Sequence, residues 1–474
     1  MKRLYVFFLF TSIIETTFSF LIKSPNHVSP VYSSLKNKEW DWSPEAWQDY
    51  PSQQIPTYEN ITILNEIKQE MKNYQPLVYA GEIRQLRNEL VKVEEGESFI
   101  FQAGPCVETF QDDVNELRLL FQLMIQSSLI ISFGLEKKVI RIGRIAGQFA
   151  KPRTQVFETG TDVLTYRGDI IHHYDASHRH PDPNRMKQAY FHAVMTLNSL
   201  RSFAKSGDLG LSTLPTWNTL PYTSTIQYQE FLRLFKKTMS FVMNSGILQD
   251  IHEPQFFISH EALLLHYEEV MTKQESSSLK WFNCGAHTIW LGERTRHSMA
   301  HKIYLQHLEN PIGIKISSKA DVNHIVELIK LLNPENERGK IMLIIRMGAS
   351  QIRYTFPHLI QNIQQHGFNV IYICDPCHGN TKSIHDRKTR FLSTVHDEIL
   401  SFFDICHQYC IVPGGVHLEI SGSNVTECVG HSVHSSDLGK QYTSLVDPRL
   451  NAQQTLDTAF FIASIHRKLG FHHP

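Results

Sequence analysis

The sequence has no Lys- and Arg-dense stretch, no internal repeat and no low-complexity segment. Its 46 Lys and Arg balance 47 Asp and Glu, giving a net charge of −1, so nucleic acid is not expected as a partner. It has only seven cysteines, all beyond residue 100, and an odd number argues against a disulfide framework. With 42% hydrophobic and 20% charged residues, the composition is that of a soluble globular protein.

Four of the cysteines are closely spaced. Cys374 and Cys377 form a CxxC pair, and Cys406 and Cys410 form a CxxxC pair, so a zinc site has to be considered. Cys374, however, closes an apolar run at 370–373 that is typical of a buried strand. The pattern therefore favours buried structural cysteines over a zinc knuckle.

A hydrophobic run lies at the N-terminus, at residues 4–14, and it is too short to span a bilayer securely. Lys2 and Arg3 precede it and the small residues Thr17 and Ser19 follow it, as in a signal peptide over residues 1–19. Residues 20–38 lack acidic side chains and resemble a plastid transit segment. We expect a plastid location, with secretion or a cytoplasmic location as alternatives because Glu15 is atypical of both signals.

The rest of the chain predicts an α/β fold. Residues 39–95 read as an N-terminal arm rich in tryptophan, followed by amphipathic helices. From residue 96 to 474, short apolar runs alternate with helical stretches, which predicts a (β/α)8 TIM barrel. A helical insertion follows the second strand over 155–250, with helices near 185–203 and 228–243. The eight predicted strands are 98–102, 138–142, 255–259, 280–282, 312–316, 341–345, 369–373 and 415–418.

Charged and metal-binding residue types follow every predicted strand. Active sites of such barrels lie at the C-terminal ends of the strands, so these residues should share one mouth. A barrel selected only for stability would not need them there. They are Cys106, Glu108, Arg144, His260, Glu261, Glu293, Arg294, Lys315, Arg346, His378 and Glu419.

These residues divide by chemistry into two groups. A thiol, an imidazole and two carboxylates suit a borderline divalent metal such as manganese, cobalt or zinc, although each taken alone is more often a buried or surface residue. Arginine and lysine at one rim predict a substrate with several negative charges. The first group is Cys106, His378, Glu419 and Asp447, and the second is Arg144, Lys151, Arg153, Arg294, Lys315 and Arg346.

Ten ordered sequence blocks resemble the class II (plant-type) 3-deoxy-D-arabino-heptulosonate 7-phosphate synthases. The resemblance extends from Trp40 nearly to the end of the chain. The blocks are IGRIAGQFAKPRT (142–154), YRGD (166–169), DPNRMKQAY (182–190), SHEALLLHYE (259–268), HTIWLGERTR (287–296), NPIGIK (310–315), LLNPENERGKIMLIIRMGA (331–349), CDPCHGNT (374–381), PGGVHLEISGSNVTEC (413–428) and DPRLNAQQTL (447–456).

The resemblance implies an aldol-like condensation of phosphoenolpyruvate with D-erythrose 4-phosphate that releases phosphate. This reaction is the first step of the shikimate pathway to chorismate and the aromatic amino acids. One divalent metal is implied, manganese or cobalt first and zinc or cadmium as alternatives. The implied metal ligands are Cys106, His378, Glu419 and Asp447. Phosphoenolpyruvate is assigned to Arg144, Glu293, Arg294, Lys315 and Arg346, erythrose 4-phosphate to Lys151, Pro152, Arg153 and Thr154, and catalysis to Lys315, Glu293 and His378.

The family also implies aromatic amino acids as effectors and a homo-oligomer. Three departures from the family pattern leave alternatives open. Ala103 and Pro105 stand where a Gly-Gly-Asp run usually precedes the thiol ligand, Val446 ends a segment that usually contains His, Thr, His and Cys, and His431 replaces a glycine and should add bulk near the site. A diverged paralogue with another aldose phosphate, or a non-catalytic phosphosugar-binding or regulatory protein, are the alternatives.

Overall fold

The computed structural model describes residues 42–205, 226–244 and 255–469. The chain divides into two units, residues 1–43 and 44–474. Of the first unit only Trp42 and Ser43 are described, so the predicted leader segments 1–19 and 20–38, and Trp40, lie outside the described residues. The account below concerns the second unit.

Eight parallel strands close into a barrel, which confirms the predicted fold class. Around the barrel each strand pairs in parallel with both neighbours, and the ring closes where the first barrel strand pairs with the last. The barrel strands are β1 (Ser98–Gly104), β2 (Lys138–Gly143), β3 (Phe257–Glu261), β6 (Thr288–Leu291), β7 (Ile312–Ile316), β8 (Ile341–Ile345), β9 (Ile371–Cys374) and β12 (Pro413–Glu419). Two hairpins lie outside it, β4 (Thr272–Gln274) with β5 (Trp281–Asn283) and β10 (Lys382–Ile384) with β11 (Arg387–Thr389).

The prediction of the fourth barrel strand at 280–282 is wrong. That segment pairs antiparallel with β4, Phe282 opposite Lys273, and the barrel strand is β6, whose four residues are all buried. Two short apolar runs stand close together here, and periodicity alone cannot tell a hairpin strand from a barrel strand. Only pairing with β3 and β7 distinguishes β6.

Eleven helices surround the barrel within the described residues. The N-terminal extension contributes α1 (Ile61–Met71) and α2 (Ala80–Glu94), and the insertion contributes α4 (Asn184–Lys205) and α5 (Ile226–Asn244), as predicted. The others are α3 (Val114–Leu135), α6 (Leu265–Met271), α7 (Met299–Leu305), α8 (Val322–Leu332), α9 (Ile352–His366), α10 (Leu392–Gln408) and α11 (Ala452–Leu469).

Helix α2 packs on residues from the starts of several strands, away from the mouth. Leu86, Leu90 and Val93 recur at helical spacing and form one buried cluster with strand residues such as Ile100 and Ile371. The extension therefore covers the N-terminal end of the barrel, and the C-terminal end is left for the site.

Helix α3 is long and apolar enough to cross a bilayer by composition, but 67% of its most hydrophobic window is buried inside the protein. It packs closely on α11, since a Cβ at Gly134 would lie 2.2 Å from the Cβ of Ala463. This close approach is typical of a helix in the core of a globular protein.

Candidate active site

A cavity of about 370 Å³ opens at the C-terminal ends of the strands, where the sequence predicted the site. Every residue that the family resemblance assigned to the site lines it except Cys106 and Glu419, which are buried beside it. The lining also includes Gln155, Glu261, Trp290, Thr381, Lys388 and Val446. The barrel thus brings together residues that lie far apart in the chain, from Arg144 to Asp447.

Three of the predicted metal ligands form a tight group. The ligand atoms of Cys106, Glu419 and Asp447 all lie within 4.8 Å of one another. Register explains part of this, because Glu419 ends β12 directly opposite Gly104, two residues before Cys106. The loop that carries Asp447 is held there by a parallel bridge between Ile420 and Leu450.

His378 completes the donor set. Its Nε2 lies 2.9 Å from Glu419 Oε1, and its Nδ1 lies 2.8 Å from Asp375 Oδ2. Nδ1 donates to Asp375 and Nε2 faces Glu419, so an ion bound here would take the place of the Nε2 proton, which is the usual arrangement of a metal-binding histidine. A thiolate, an imidazole nitrogen and two carboxylates fit a borderline divalent ion.

The carboxylate of Glu419 is surrounded by cationic groups. Arg390 donates to Oε2 at 2.6 Å, while Arg144 at 3.1 Å and Lys151 at 3.0 Å both donate to Oε1. Burial alone would raise the pKa of Glu419, but His378, Lys151, Arg390 and Arg144 outweigh it and hold the pKa well below the usual range. The ligand is therefore ionised.

His417 organises the donors at the floor of the cavity. Arg144 Nη1 lies 2.6 Å and Lys315 Nζ 3.0 Å from His417 Nε2, and His417 Nδ1 lies 2.8 Å from Gln102 Oε1. Burial, with Lys315 and Arg144 nearby, holds the pKa of His417 well below its usual range. The neutral ring therefore accepts from both cations at Nε2 and donates through Nδ1 to Gln102.

Lys315 is buried between Asp375 and Trp290. Its Nζ lies 2.5 Å from Asp375 Oδ2 and 5.8 Å from the centre of the Trp290 ring. Burial lowers the pKa of Lys315 to about 8, and the Asp375 carboxylate keeps it from falling further. Asp375 thus links the predicted catalytic lysine to the predicted metal ligand His378.

The remaining rim residues are held by partners of different kinds. Arg294 donates to Thr154 Oγ1 through Nε at 3.0 Å and Nη2 at 2.8 Å. Arg346 donates to His378 O at 3.0 Å, and its buried Nε has no partner among the described residues. Glu293 lines the cavity, but both of its oxygens accept hydrogen bonds, from Ser317 and Arg296.

The run 151–154 is fixed by its backbone. Gln54 of the N-terminal arm accepts from Arg153 N at 2.9 Å and donates to Arg153 O at 3.1 Å. Glu108, which the sequence placed at the mouth, accepts from the backbone of Ala146, Gly147 and Gln148. Its carboxylate therefore shapes the loop that leads to this run, and it does not line the cavity.

Sequence reasoning missed several residues that contact the predicted ligands and cations. His417 could have been found, because it lies two positions before Glu419 on β12 and so shares its face. Asp375 directly follows β9 and lies at a strand end like the others. Arg390 and Lys388 belong to the β10–β11 segment, and no local pattern marks them.

The departures from the family pattern have distinct surroundings. Val107 and Val446 pack with Cys106 and Tyr166 in one buried apolar cluster, so an aliphatic side chain lies beside the thiol where the family has a cysteine. Burial raises the pKa of Cys106 to about 12. The expectation that His431 adds bulk at the site is wrong, because His431 is exposed in a turn and does not line the cavity.

Comparison with known proteins identifies the family. The model of the class-II DAHP synthetase family matches residues 42–463. A phospho-2-dehydro-3-deoxyheptonate aldolase of Streptomyces coelicolor is 36% identical over 441 residues, covering 90% of this chain and 98% of its own. The enzyme of the same name from Neurospora crassa is 35% identical over 457 residues, covering 90% and 95%. One from Mycolicibacterium smegmatis is 34% identical over 415 residues, covering 84% and 89%. The chain belongs to the class-II DAHP synthetase family.

Proposed function

We propose that this chain condenses phosphoenolpyruvate with D-erythrose 4-phosphate, and that the residues at the barrel mouth carry the reaction. One observation supports this above all. A sulfur, nitrogen and oxygen donor set and a cluster of buried cations meet at one cavity in a member of this family. Metal chemistry and recognition of a polyanion are the two things that the condensation needs.

Phosphoenolpyruvate is proposed to bind to Arg144, Arg294, Lys315 and Arg346, with Glu293 fixing Arg296 and Ser317 at the rim of the site. Guanidinium groups bind phosphate and carboxylate oxygens through paired N–H donors. Arg294 donates to the hydroxyl of Thr154 and Arg346 to the backbone carbonyl of His378, whereas Arg144 donates both to the neutral His417 ring and to the Glu419 carboxylate. An incoming anion can replace the neutral acceptors of Arg294, Arg346 and Arg144 Nη1, while the Glu419 carboxylate holds Arg144 in place through Nη2.

Erythrose 4-phosphate is proposed to bind along the run 151–154. The backbone fixed by Gln54 presents Arg153 and Thr154 to the cavity, on the same wall as Arg294. This puts the two phosphate-binding groups side by side. Carbon 3 of phosphoenolpyruvate can then attack the aldehyde, water adds at carbon 2, and phosphate leaves by C–O cleavage.

Cys106, His378, Glu419 and Asp447 would hold the divalent ion, for which we propose manganese or cobalt, with zinc or cadmium as alternatives. When bound, the ion supplies Lewis-acid polarisation of the aldehyde. Asp375 keeps Nε2 of His378 free for ligation through its bond to Nδ1. The Lys315 ammonium stabilises negative charge that develops on the bound substrate, and burial strengthens that effect.

The test is release of inorganic phosphate from phosphoenolpyruvate plus erythrose 4-phosphate with added manganese or cobalt. We expect turnover in the unchanged protein. Cys106→Ser should bind the metal at least about tenfold more weakly, since a thiolate is the softest ligand of the set. Cys410→Ser, at an exposed cysteine, is the matched control and should leave metal content and turnover unchanged.

Absence of turnover in folded, metal-loaded protein would overturn the enzyme proposal. The same assay with other aldose phosphates tests the alternative of a diverged paralogue, which the Val446 departure motivates because this residue lines the cavity. Binding of phosphoenolpyruvate without any turnover would favour the non-catalytic alternative. Aromatic amino-acid effectors, a homo-oligomer and a plastid location remain predictions.

A further inference from the structure

Lys151 lies among the proposed metal ligands themselves. Its Nζ is 3.0 Å from Glu419 Oε1 and 3.2 Å from Asp447 Oδ2. The side chain is 7% exposed. One ammonium group therefore contacts two of the four side chains that would bind the ion.

The other cations around these carboxylates are placed differently. Arg390 binds the far oxygen of Glu419, Oε2, Arg144 shares Oε1 of Glu419 with Lys151, and Lys388 binds the far oxygen of Asp447, Oδ1, at 2.8 Å. Each contacts only one of the two carboxylates. Lys151 bridges Glu419 and Asp447 through the oxygens that face each other, which is the position a shared cation takes.

An ion bound by these atoms and the Lys151 ammonium compete for the same place. Ligand atoms of a transition metal lie about 2.0–2.3 Å from it. An ammonium group in contact with the same two carboxylate oxygens would then meet a divalent charge at close range, and it has to move away. Because the backbone N–H of Lys151 is tied to Arg167 O at 2.9 Å, the movement is confined to the side chain.

The displaced ammonium group can move into the cavity at the barrel mouth. Lys151 lines the cavity together with Arg153 and Thr154 of the same run. A lysine head sits on a flexible four-carbon stem, so it can leave the carboxylates and enter the cavity while the stem stays buried. There it would face the acceptor substrate.

We propose that Lys151 is an exchangeable countercation, which neutralises Glu419 and Asp447 until a divalent ion replaces it and then binds the acceptor sugar phosphate. Binding of the ion and of the acceptor is thereby coupled, because the ion releases the group that the acceptor needs. The identity of the acceptor rests on the proposed function; the exchange itself does not.

Titration of the full-length protein with Mn²⁺ alone, followed by calorimetry, tests the exchange. Lys151→Met removes the competing charge, so we expect the Kd for Mn²⁺ to fall by about tenfold or more, as expected for a buried cation in contact with two carboxylates. Lys388→Met is the matched control. Its side chain is 45% exposed and contacts one carboxylate, so its Kd should change by about twofold or less.

Unchanged or weaker Mn²⁺ binding by folded Lys151→Met would overturn the proposal, because it would make Lys151 a group that orients the ligands. Retained α-helical circular dichroism in the variant establishes that it is folded. No substrate is turned over in this experiment, so its result is independent of whether the chain performs the proposed condensation.

The coupling is tested on the unchanged protein, which also covers the case of a variant that fails to fold. D-erythritol 4-phosphate has no aldehyde and cannot react. Coupling between two ligands is reciprocal. D-erythritol 4-phosphate should therefore lower the Kd for Mn²⁺, and Mn²⁺ should lower the Kd for D-erythritol 4-phosphate by the same factor. If D-erythritol 4-phosphate binds and the Mn²⁺ affinity is the same with and without it, the coupling is contradicted; if it does not bind at all, the proposed acceptor is contradicted and the Lys151→Met titration still decides the exchange.

Discussion

Asp375 connects the two chemical groups of the site at the scale of single residues. One carboxylate accepts from the Lys315 ammonium, from Nδ1 of His378 and from the backbone N–H groups of Cys377 and His378. Burial would raise the pKa of Asp375, but His378 and Lys315 outweigh it and hold the pKa well below its usual range. The charge of Asp375 therefore sets both the orientation of a metal ligand and the protonation of a substrate-binding lysine.

Asp375→Asn is expected to reduce kcat/KM by about 10- to 100-fold, the usual effect of losing a carboxylate that orients a metal-binding histidine. The pH profile adds a second readout. Lys315 is charged below its pKa of about 8 and loses its proton above it, so the KM for phosphoenolpyruvate should rise as pH passes through this value. Without the Asp375 charge the pKa of Lys315 falls further, and this rise should begin at lower pH.

Asp404→Asn is the matched control for that variant. Asp404 on α10 forms an ion pair with Arg353 on α9, and both side chains are partly exposed. Its pH profile should coincide with that of the unchanged protein. If the profile of Asp375→Asn also coincided with it, Lys315 would not be the group that titrates.

At the scale of elements, the N-terminal arm is joined to the barrel through one buried carboxylate. Trp47 Nε1 donates to Glu269 Oε2 at 2.7 Å, and Lys68 of α1 forms an ion pair with the other oxygen. The Trp47 ring also meets His266 edge-on at 4.9 Å. The arm in turn carries Gln54, which holds the proposed acceptor run. Arm and site are thus parts of one packed structure.

Trp47→Phe should lower the free energy of unfolding by about 1–3 kcal/mol, because the buried carboxylate loses a donor while the apolar ring is kept. Trp47→Ala should cost about 3–5 kcal/mol through the added cavity. Gln48→Ala is the control, since its exposed side chain donates to the same oxygen at 3.0 Å, and it should stay within about 0.5 kcal/mol. Chemical denaturation measures all three, and equal losses for Trp47→Phe and Gln48→Ala would contradict the role of Nε1.

At the scale of the whole molecule, helix α2 and the candidate active site lie at opposite ends of the barrel. Helix α2 covers the ends at which the strands begin, and the opposite strand ends, which carry the site, line the cavity or lie buried beside it. The match to the family starts at residue 42 and so includes the arm but excludes the predicted leader. Fold and catalysis should therefore depend on residues from the arm onward.

A chain that starts at Glu39 is expected to keep the thermal midpoint and the turnover of the full-length protein. A chain that starts at Gly96 should lose both, because it lacks the α2 face that covers Ile100 and Ile371. Thermal unfolding and phosphate release measure the two outcomes. A loss of turnover in the first truncation with an unchanged thermal midpoint would show that the leader takes part in the reaction.

The sequence by itself determined the barrel and its mouth. Alternation of apolar strands with helices is a local pattern, and it located seven of the eight barrel strands, while residues such as Arg144, Lys315 and Glu419 could be read from their places at strand ends. The local pattern failed at 280–282, because two short apolar runs lie close together there and only strand pairing shows which of them belongs to the barrel. Tertiary structure alone decided that Asp375 joins Lys315 to His378, that Arg390 neutralises Glu419, and that Lys151 lies between two proposed metal ligands. These contacts join residues that are far apart in the chain, and their distances are set by closure of the barrel, which no local pattern records.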